Sequence, residues 1–315
     1  MGEERSKVEL SVVIPVFNEE NNLEELYNRL SRVLKSISER YQIIFVDDGS
    51  WDNSFEKLKE IQKRDKNVIV IQLARNFGQH PAISAGLRQA KGEVVIIMDA
   101  DLQNPPEEIP KLLEEIKKGY DLVFGVRKKR KDKLIRKIGS YLAQRILNKL
   151  LGEGAGISAF LAVKHQFVEA YNRCPERDKF FTALFIWLGA KSTNVEVEHA
   201  PRKSGETKYS LIKLFRLLLH MIISFSEYPL RLTSWFGFLV SLLGLGLALK
   251  IVIQKLFFQI NVPGYASIFA AIVFFGGVQM LFLGIIGEYL ARVYIEARRR
   301  PDYIIRDILK SENKQ

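Results

Sequence analysis

Asp99 and Asp101 stand one residue apart at the end of VVIIMDADLQNPP (94–106), an apolar run that reads as a buried strand and is stopped by Pro105 and Pro106. Two carboxylates so placed are hard oxygen donors. The chain has one cysteine, Cys174, so any metal must sit on oxygens or histidines. Two further apolar runs end in polar tips, IPVFNEE (14–20) and VDDGSWD (46–52). Asn, Asp, Gly and Pro are turn formers, and any one of these tips alone would read as a turn. In an open parallel sheet, however, ligands bind at the C-terminal ends of strands, and three polar tips on neighbouring strands read as a site.

The elements that must position these tips follow from periodicity. Strands are expected at 10–16, 41–47, 68–74, 93–99 and 120–126, with helices at 21–39, 53–64, 80–90 and 107–118. This alternation predicts an α/β fold whose mostly parallel, Rossmann-like sheet is covered on both faces. If the fourth strand stays regular through residue 101, alternation puts Asp99 and Asp101 on the same side.

At 315 residues the chain can hold one large domain and an appendage, or two domains. Lys and Arg outnumber Asp and Glu by 47 to 36, a net charge of +11, and this excess must face nucleic acid, a phosphorylated substrate or a lipid surface. A lone cysteine excludes an internal disulfide and fits a reducing compartment. The charged start MGEERSKVEL carries no apolar run, so neither a signal peptide nor an N-terminal anchor is expected.

Beyond residue 228 the composition changes. Residues 232–249 carry no charge over 18 positions and residues 256–287 none over 32; the two stretches meet at NVPG (261–264). Two membrane-spanning helices, about 231–256 and 265–290, are expected, against the weaker alternative of buried core helices. Arg231 before the first and Arg292, Arg298, Arg299 and Arg300 after the second predict cytoplasmic termini, with Lys250 and Lys255 snorkelling to the far interface. Ser234, Gly237, Ser241 and Gly244 line one face and suit close packing, within the hairpin or between subunits of a homo-oligomer. Preceding the spans, residues 208–225 place Leu211, Leu214, Phe215, Leu218, Ile222 and Phe225 opposite Lys213, Arg216 and His220, the pattern of an interfacial helix. The expected organisation is a cytoplasmic catalytic domain (1–206), a juxtamembrane helix (207–228), a two-helix hairpin (229–291) and a basic tail (292–315), all at the inner membrane.

The set IPVFNEE, VDDGSWD, LARNFGQHPAISAGL (73–87), DADLQNPP, GVR (125–127), PERDKF (175–180), SGETKYS (204–210) and the C-terminal GEYLARVY resembles the family 2 glycosyltransferases of GT-A fold. Within them it is similar to the polyprenyl-phosphate glycosyltransferases, among them dolichol-phosphate mannose synthase and the undecaprenyl-phosphate glucosyl and aminoarabinose transferases. The resemblance implies transfer of a sugar from a UDP-sugar to a polyprenyl phosphate, with a Mg²⁺ or Mn²⁺ ion neutralising the leaving diphosphate. By the same resemblance Asp101 and Gln103 hold the metal, with Asp99 bridging towards ribose or metal. Pro15, Phe17, Asn18 and Glu19 form one wall of the nucleotide site, Asp47 and Asp48 bond base and sugar, and Ala100 lies against the nucleotide. Arg75 and Asn76 would lie near the donor phosphates. The lipid phosphate would meet Arg127 and Arg136, joined by Arg202 and Lys208. The run RKKRKDKLIRK (127–137) alone reads as a solvated face, but beside two spans it reads as facing anionic lipid rather than nucleic acid.

One departure stands out. Where many relatives carry an acid in a T-G-D-F-R-L element this chain has GISAFLAV (156–163), with Ala159 at that place; the aminoarabinose branch also lacks the acid. A phosphomonoester is largely dianionic at neutral pH, so attack on the anomeric carbon, with inversion, does not require a side-chain base. A processive polysaccharide synthase would show a Q-x-x-R-W element and more spans, and a sugar-nucleotide pyrophosphorylase a Gly-rich first loop; neither occurs. A non-catalytic membrane scaffold or sugar-nucleotide-binding subunit is the remaining alternative; a scaffold would have no use for Asp99, Asp101 and Gln103.

Overall fold

A computed structural model of the protein describes residues 8–127, 158–176, 180–198 and 264–311, with parts of 233–257. It divides into two units, residues 1–207 with 300–315, and residues 208–299.

The first unit is an eight-stranded mixed sheet. Its strands are β1 Leu10–Val16, β2 Tyr41–Asp47, β3 Val68–Leu73, β4 Val94–Ile97, β5 Leu122–Arg127, β6 Leu161–Lys164, β7 Ser192–Val197 and β8 Ile305–Leu309. The order is β7-β5-β6-β4-β1-β2-β3-β8. β1, β2, β3 and β4 are mutually parallel, as are β5 and β7, whereas β6 and β8 run antiparallel to their neighbours. The chain winds outward from β1 through β2 to β3 and then returns to β1's other side as β4. This reversal opens a crevice at the C-terminal ends of β1 and β4, where the tips 15–20 and 98–103 emerge side by side.

Both faces of the sheet are covered, as the continuous β-branched strands require. On one face Val12, Ile14, Ile43 and Phe45 pack with helices α1 Leu23–Ile37, α2 Ser54–Arg64 and α4 Ile109–Lys117. Leu23, Leu26, Leu30 and Leu34, spaced three and four apart, form the buried stripe of α1. On the other face Val13, Ile44 and Val46 pack with α3 Gln79–Gln89, α5 His165–Arg173 and α6 Phe181–Trp187. There α3 lies close to the sheet: a Cβ on Gly86 would sit 2.4 Å from Cγ1 of Val13 and 3.1 Å from Cγ2 of Val46.

The five expected strands and four expected helices all form, β1 and β2 with the expected ends and the others with ends shifted by at most two residues. Three strands were not anticipated. β6 is only LAVK, β7 is the polar, partly exposed STNVEV, and β8 is the charged IRDIL. β8 lies within the stretch expected to be a basic tail: residues up to 297 continue a helix, and 305–309 join the sheet edge instead of trailing free.

In the second unit α7 spans Tyr265–Ala297, and its segment Phe274–Ala297 is the one described helix long and apolar enough to cross a membrane. A shorter apolar helix covers Trp235–Gly244, inside the first expected span. The expected interfacial helix, 208–225, lies outside the described residues.

Gly86→Ala is expected to destabilise, because overpacking of about 1–3 kcal/mol outweighs the better helix propensity of alanine, about 1 kcal/mol. A thermal melt checks this; a Tm equal to or above wild type would contradict the close packing of α3.

Candidate active site

The loops after β1 and β2 are knitted together by their own polar groups. The Asn18 backbone N–H donates to Ser50 Oγ (3.0 Å), Trp51 N–H donates to Asn18 Oδ1 (3.1 Å), and Glu19 N–H to Ser54 Oγ (2.9 Å). Glu20 N–H donates to Asp52 Oδ2 (3.2 Å), while Asn53 N–H donates back to Glu20 Oε2 (3.0 Å). Asn18 adopts φ 55°, a left-handed conformation that asparagine tolerates. Pro15 lies in β1 opposite Val46, and the Phe17 ring meets the exposed indole of Trp51 edge-on at 4.8 Å. Asn18 and Glu19, expected to touch a nucleotide, thus also brace the two loops that would surround one.

Asp47 and Asp48 are both buried but differ in role. Asp48 accepts N–H groups on both carboxylate oxygens, from Phe77 to Oδ1 (2.7 Å) and Gly78 to Oδ2 (2.8 Å), and so pins the turn between β3 and α3. Gly49, at φ +66°, completes that junction, since a Cβ there would lie 2.5 Å from the carbonyl carbon of Arg75. Asp47 Oδ1 accepts the Ser50 N–H (3.3 Å), while its buried Oδ2 has no hydrogen-bond partner. Burial raises the pKa of both acids; bonds from Ser50 and Gln72 at Asp47, and from Phe77 and Gly78 at Asp48, oppose it. An unsatisfied buried acceptor beside a strand tip is a place for a ligand N–H.

β4 ends at Ile97, and residues 100 and 101 lie in a turn, so strand alternation does not extend to Asp101. Asp99 Oδ1 accepts from Gln79 Nε2 (2.7 Å), in the first turn of α3. Asp101 Oδ1 accepts the Gln103 N–H (3.0 Å), closing a small side-chain turn. Between them Leu102 takes φ 59°, unusual for leucine, and its side chain is buried in the core, as is neighbouring Ala100. Downstream, Arg29 of α1 grips Glu107 with two bonds of 3.0 and 2.7 Å and fixes the Pro105 and Pro106 corner. Asp99, Asp101 and Gln103 thus offer two carboxylates and one amide oxygen from a single braced turn, a donor set that fits a hard divalent cation completed by ligand or water oxygens. Among the described residues, no three His, Cys, Asp or Glu side chains gather as an all-protein metal cage.

The basic residues are less gathered. The Arg75 guanidinium stacks on Phe77 at 4.3 Å and donates to Asn76 O (3.1 Å), and both Arg75 and Asn76 are exposed on the pinned turn. Arg127 is the exposed last residue of β5. Arg136, Arg202 and Lys208 lie outside the described residues. Ala159 sits before β6, where it can neither give nor take a proton. Sequence reasoning did not single out Gln79, which orients Asp99; its only signal was membership of LARNFGQHPAISAGL.

A sheet reversing at β1, with a carboxylate-bearing turn at the reversal, places polar groups where open α/β sheets bind ligands. The family model for glycosyl transferase family 2 matches residues 11–168, and that for the GtrB C-terminal hairpin matches residues 228–293. The chain belongs to glycosyl transferase family 2 and is a glycosyltransferase, which sets aside the scaffold alternative. It is 39% identical over 307 residues, 96% of each chain, to an uncharacterized glycosyltransferase of Synechocystis sp.. It is 38% identical over 317 residues to the undecaprenyl-phosphate 4-deoxy-4-formamido-L-arabinose transferase of Yersinia enterocolitica, covering 99% of this chain and 97% of that protein. Among solved structures, glucosyl-3-phosphoglycerate synthase of Mycobacterium tuberculosis, crystallised with Mn²⁺, UDP and glucosyl-3-phosphoglycerate, shares the fold. Its TM-score is 0.50 at 18% identity, over 68% of this chain and 77% of that one.

A carboxylate with a raised folded-state pKa stabilises fully below its unfolded pKa and loses that contribution as pH rises through the folded value. Ionised Asp47 therefore costs stability near neutral pH. Asp47→Asn keeps the acceptor for Ser50 and is expected to leave the Tm of the nucleotide-free protein equal or higher near pH 7, with any gap closing as the pH is lowered. Circular-dichroism melts across pH check this; a Tm several degrees below wild type near pH 7 contradicts it.

Proposed function

We propose that the protein transfers a sugar from a UDP-sugar to a polyprenyl phosphate, of undecaprenyl type, at the cytoplasmic face of the inner membrane, with inversion at the anomeric carbon. The observation that carries this reading is one chain combining the braced turn of Asp99, Asp101 and Gln103 at the sheet's switch point with a long apolar helix in a matched C-terminal hairpin. The relative named for undecaprenyl phosphate, similar along its whole length, supports the acceptor class. The UDP and Mn²⁺ of the M. tuberculosis neighbour are in keeping with the donor.

In this reading the buried Oδ2 of Asp47 receives the imide N–H of the base, and the loop carrying Phe17, Asn18 and Glu19 walls the nucleoside. Asp48 acts indirectly by holding the turn that presents Arg75 and Asn76 towards the phosphates. Asp101 and Gln103, with Asp99, hold Mg²⁺ or Mn²⁺, which supplies charge neutralisation for the departing diphosphate. Gln79 holds Asp99 in its orientation during that departure. Arg127, with Arg136, Arg202 and Lys208, grips the lipid phosphate, guanidinium forks being suited to an anion presented at a membrane surface. With Ala159 in place of an acid, the dianionic phosphate is its own nucleophile. Two spans with cytoplasmic termini, and packing of small residues within the hairpin or between subunits, complete the proposal.

The test is lipid product, measured by mass spectrometry, from undecaprenyl phosphate and a panel of UDP-sugars. Wild type with Mn²⁺ is expected to yield one glycolipid, EDTA to stop it, and Asp101→Ala to lower the rate by about a hundredfold or more, with unchanged membrane insertion. Undiminished product from Asp101→Ala would overturn the reading. Asp99→Asn, which keeps a partner for Gln79, is expected to lose less than Asp99→Ala in the same assay; equal losses would contradict the orienting role of Gln79.

A further inference from the structure

The last described strand does more than close a sheet edge. After α7 the chain returns as β8, antiparallel to β3, with Val70 opposite Leu309, Ile71 opposite Ile308, Gln72 opposite Asp307 and Leu73 opposite Ile305. Just past β3 both backbone groups of Ala74 are taken: its N–H donates to Ile304 O (2.8 Å) and its carbonyl accepts from Arg306 Nη2 (3.2 Å). Tyr303 packs into the core cluster that contains Ile83, Leu87 and Tyr171, and Arg88 of α3 approaches its ring at 5.7 Å. The five residues after Ala74 are Arg75, Asn76, Phe77, Gly78 and Gln79, the segment that meets Gly49, bonds Asp48 and orients Asp99.

We infer that residues 303–309 are a positioning strap for the donor site: by clamping Ala74 they fix the start of the β3–α3 turn whose other end holds Asp48 and Asp99. The turn is short, so its freedom is set by its two anchors. Asp48 and α3 hold one end; without the strap the other end follows an edge strand held by β2 alone. Tyr303 and Arg306 are positioning residues and touch no reacting atom. That the strap serves a nucleotide rests on the donor-site reading above.

The experiment uses the full chain in lipid nanodiscs and compares wild type, Arg306→Ala, Tyr303→Ala with Arg306→Ala, and the conservative pair Tyr303→Phe with Arg306→Lys. Hydrogen exchange is followed in residues 74–79 and in the loops 17–22 and 48–53, and UDP affinity is measured with Mn²⁺. Expected are faster exchange confined to 74–79 and UDP binding weakened by about fivefold or more in the alanine variants, with both restored in the conservative pair. Exchange at 74–79 equal to wild type would overturn the inference, and so would exchange raised equally in all three loops, which marks a general loss of stability. Wild type that fails to bind UDP would overturn the donor reading alone, since the exchange comparison decides the strap without it.

Discussion

The buried carboxylate of Asp48 is the constraint on which the site depends. It emerges from β2 into the interior and can be kept there because the backbone of the next loop supplies two N–H groups, from Phe77 and Gly78, one for each oxygen. Hydrogen bonds to a charged group contribute about 1.5–3 kcal/mol each, set against a desolvation cost that raises the pKa of this acid. The arrangement works only if the β3–α3 turn comes close to β2, and Gly49 removes the one side chain that would keep Arg75 away. With that turn fixed, α3 begins where Gln79 can reach Asp99, and a bond at one strand end sets the geometry at another two strands away.

The remaining acids gain their meaning from this frame. Asp47 is held beside Asp48 with one oxygen accepting the Ser50 N–H and one buried without a partner, a state that costs stability unless a ligand N–H meets it. The metal-type donors sit on a turn pulled tight from two sides, by Leu102 buried in a left-handed conformation and by Arg29 holding Glu107. Rigidity is what a site needs when its work is to stabilise charge that appears on a leaving group, because donors placed beforehand need not reorganise.

Much of this was legible in the residues. The continuous apolar strands β1 to β5 and the leucine stripe of α1 gave themselves away by period, and the polar tips by their position after those runs. β6, β7 and β8 were not legible, for physical reasons. β6 runs directly into a helix, without the Asp- and Pro-bearing tip that marks the equally short β4, and the edge strands are polar because one row of their backbone faces water. The roles within VDDGS could not be divided either. Two adjacent aspartates look alike in sequence, and only the fold shows that one is spent on backbone amides while the other keeps a bare oxygen. Asn18 and Glu19 likewise read as ligand contacts, yet both also brace neighbouring loops, because a residue at a strand tip is within reach of both.

The chain is a family 2 glycosyltransferase whose leaving diphosphate, in our proposal, is neutralised by a cation on Asp99, Asp101 and Gln103. Calorimetric titration of UDP into the full-length protein, with Mn²⁺ and then with EDTA, tests that claim most directly. The account predicts that Mn²⁺ tightens UDP binding by about tenfold or more and that Asp101→Asn erases the difference. Equal UDP affinity with and without the ion, in wild type, would contradict it.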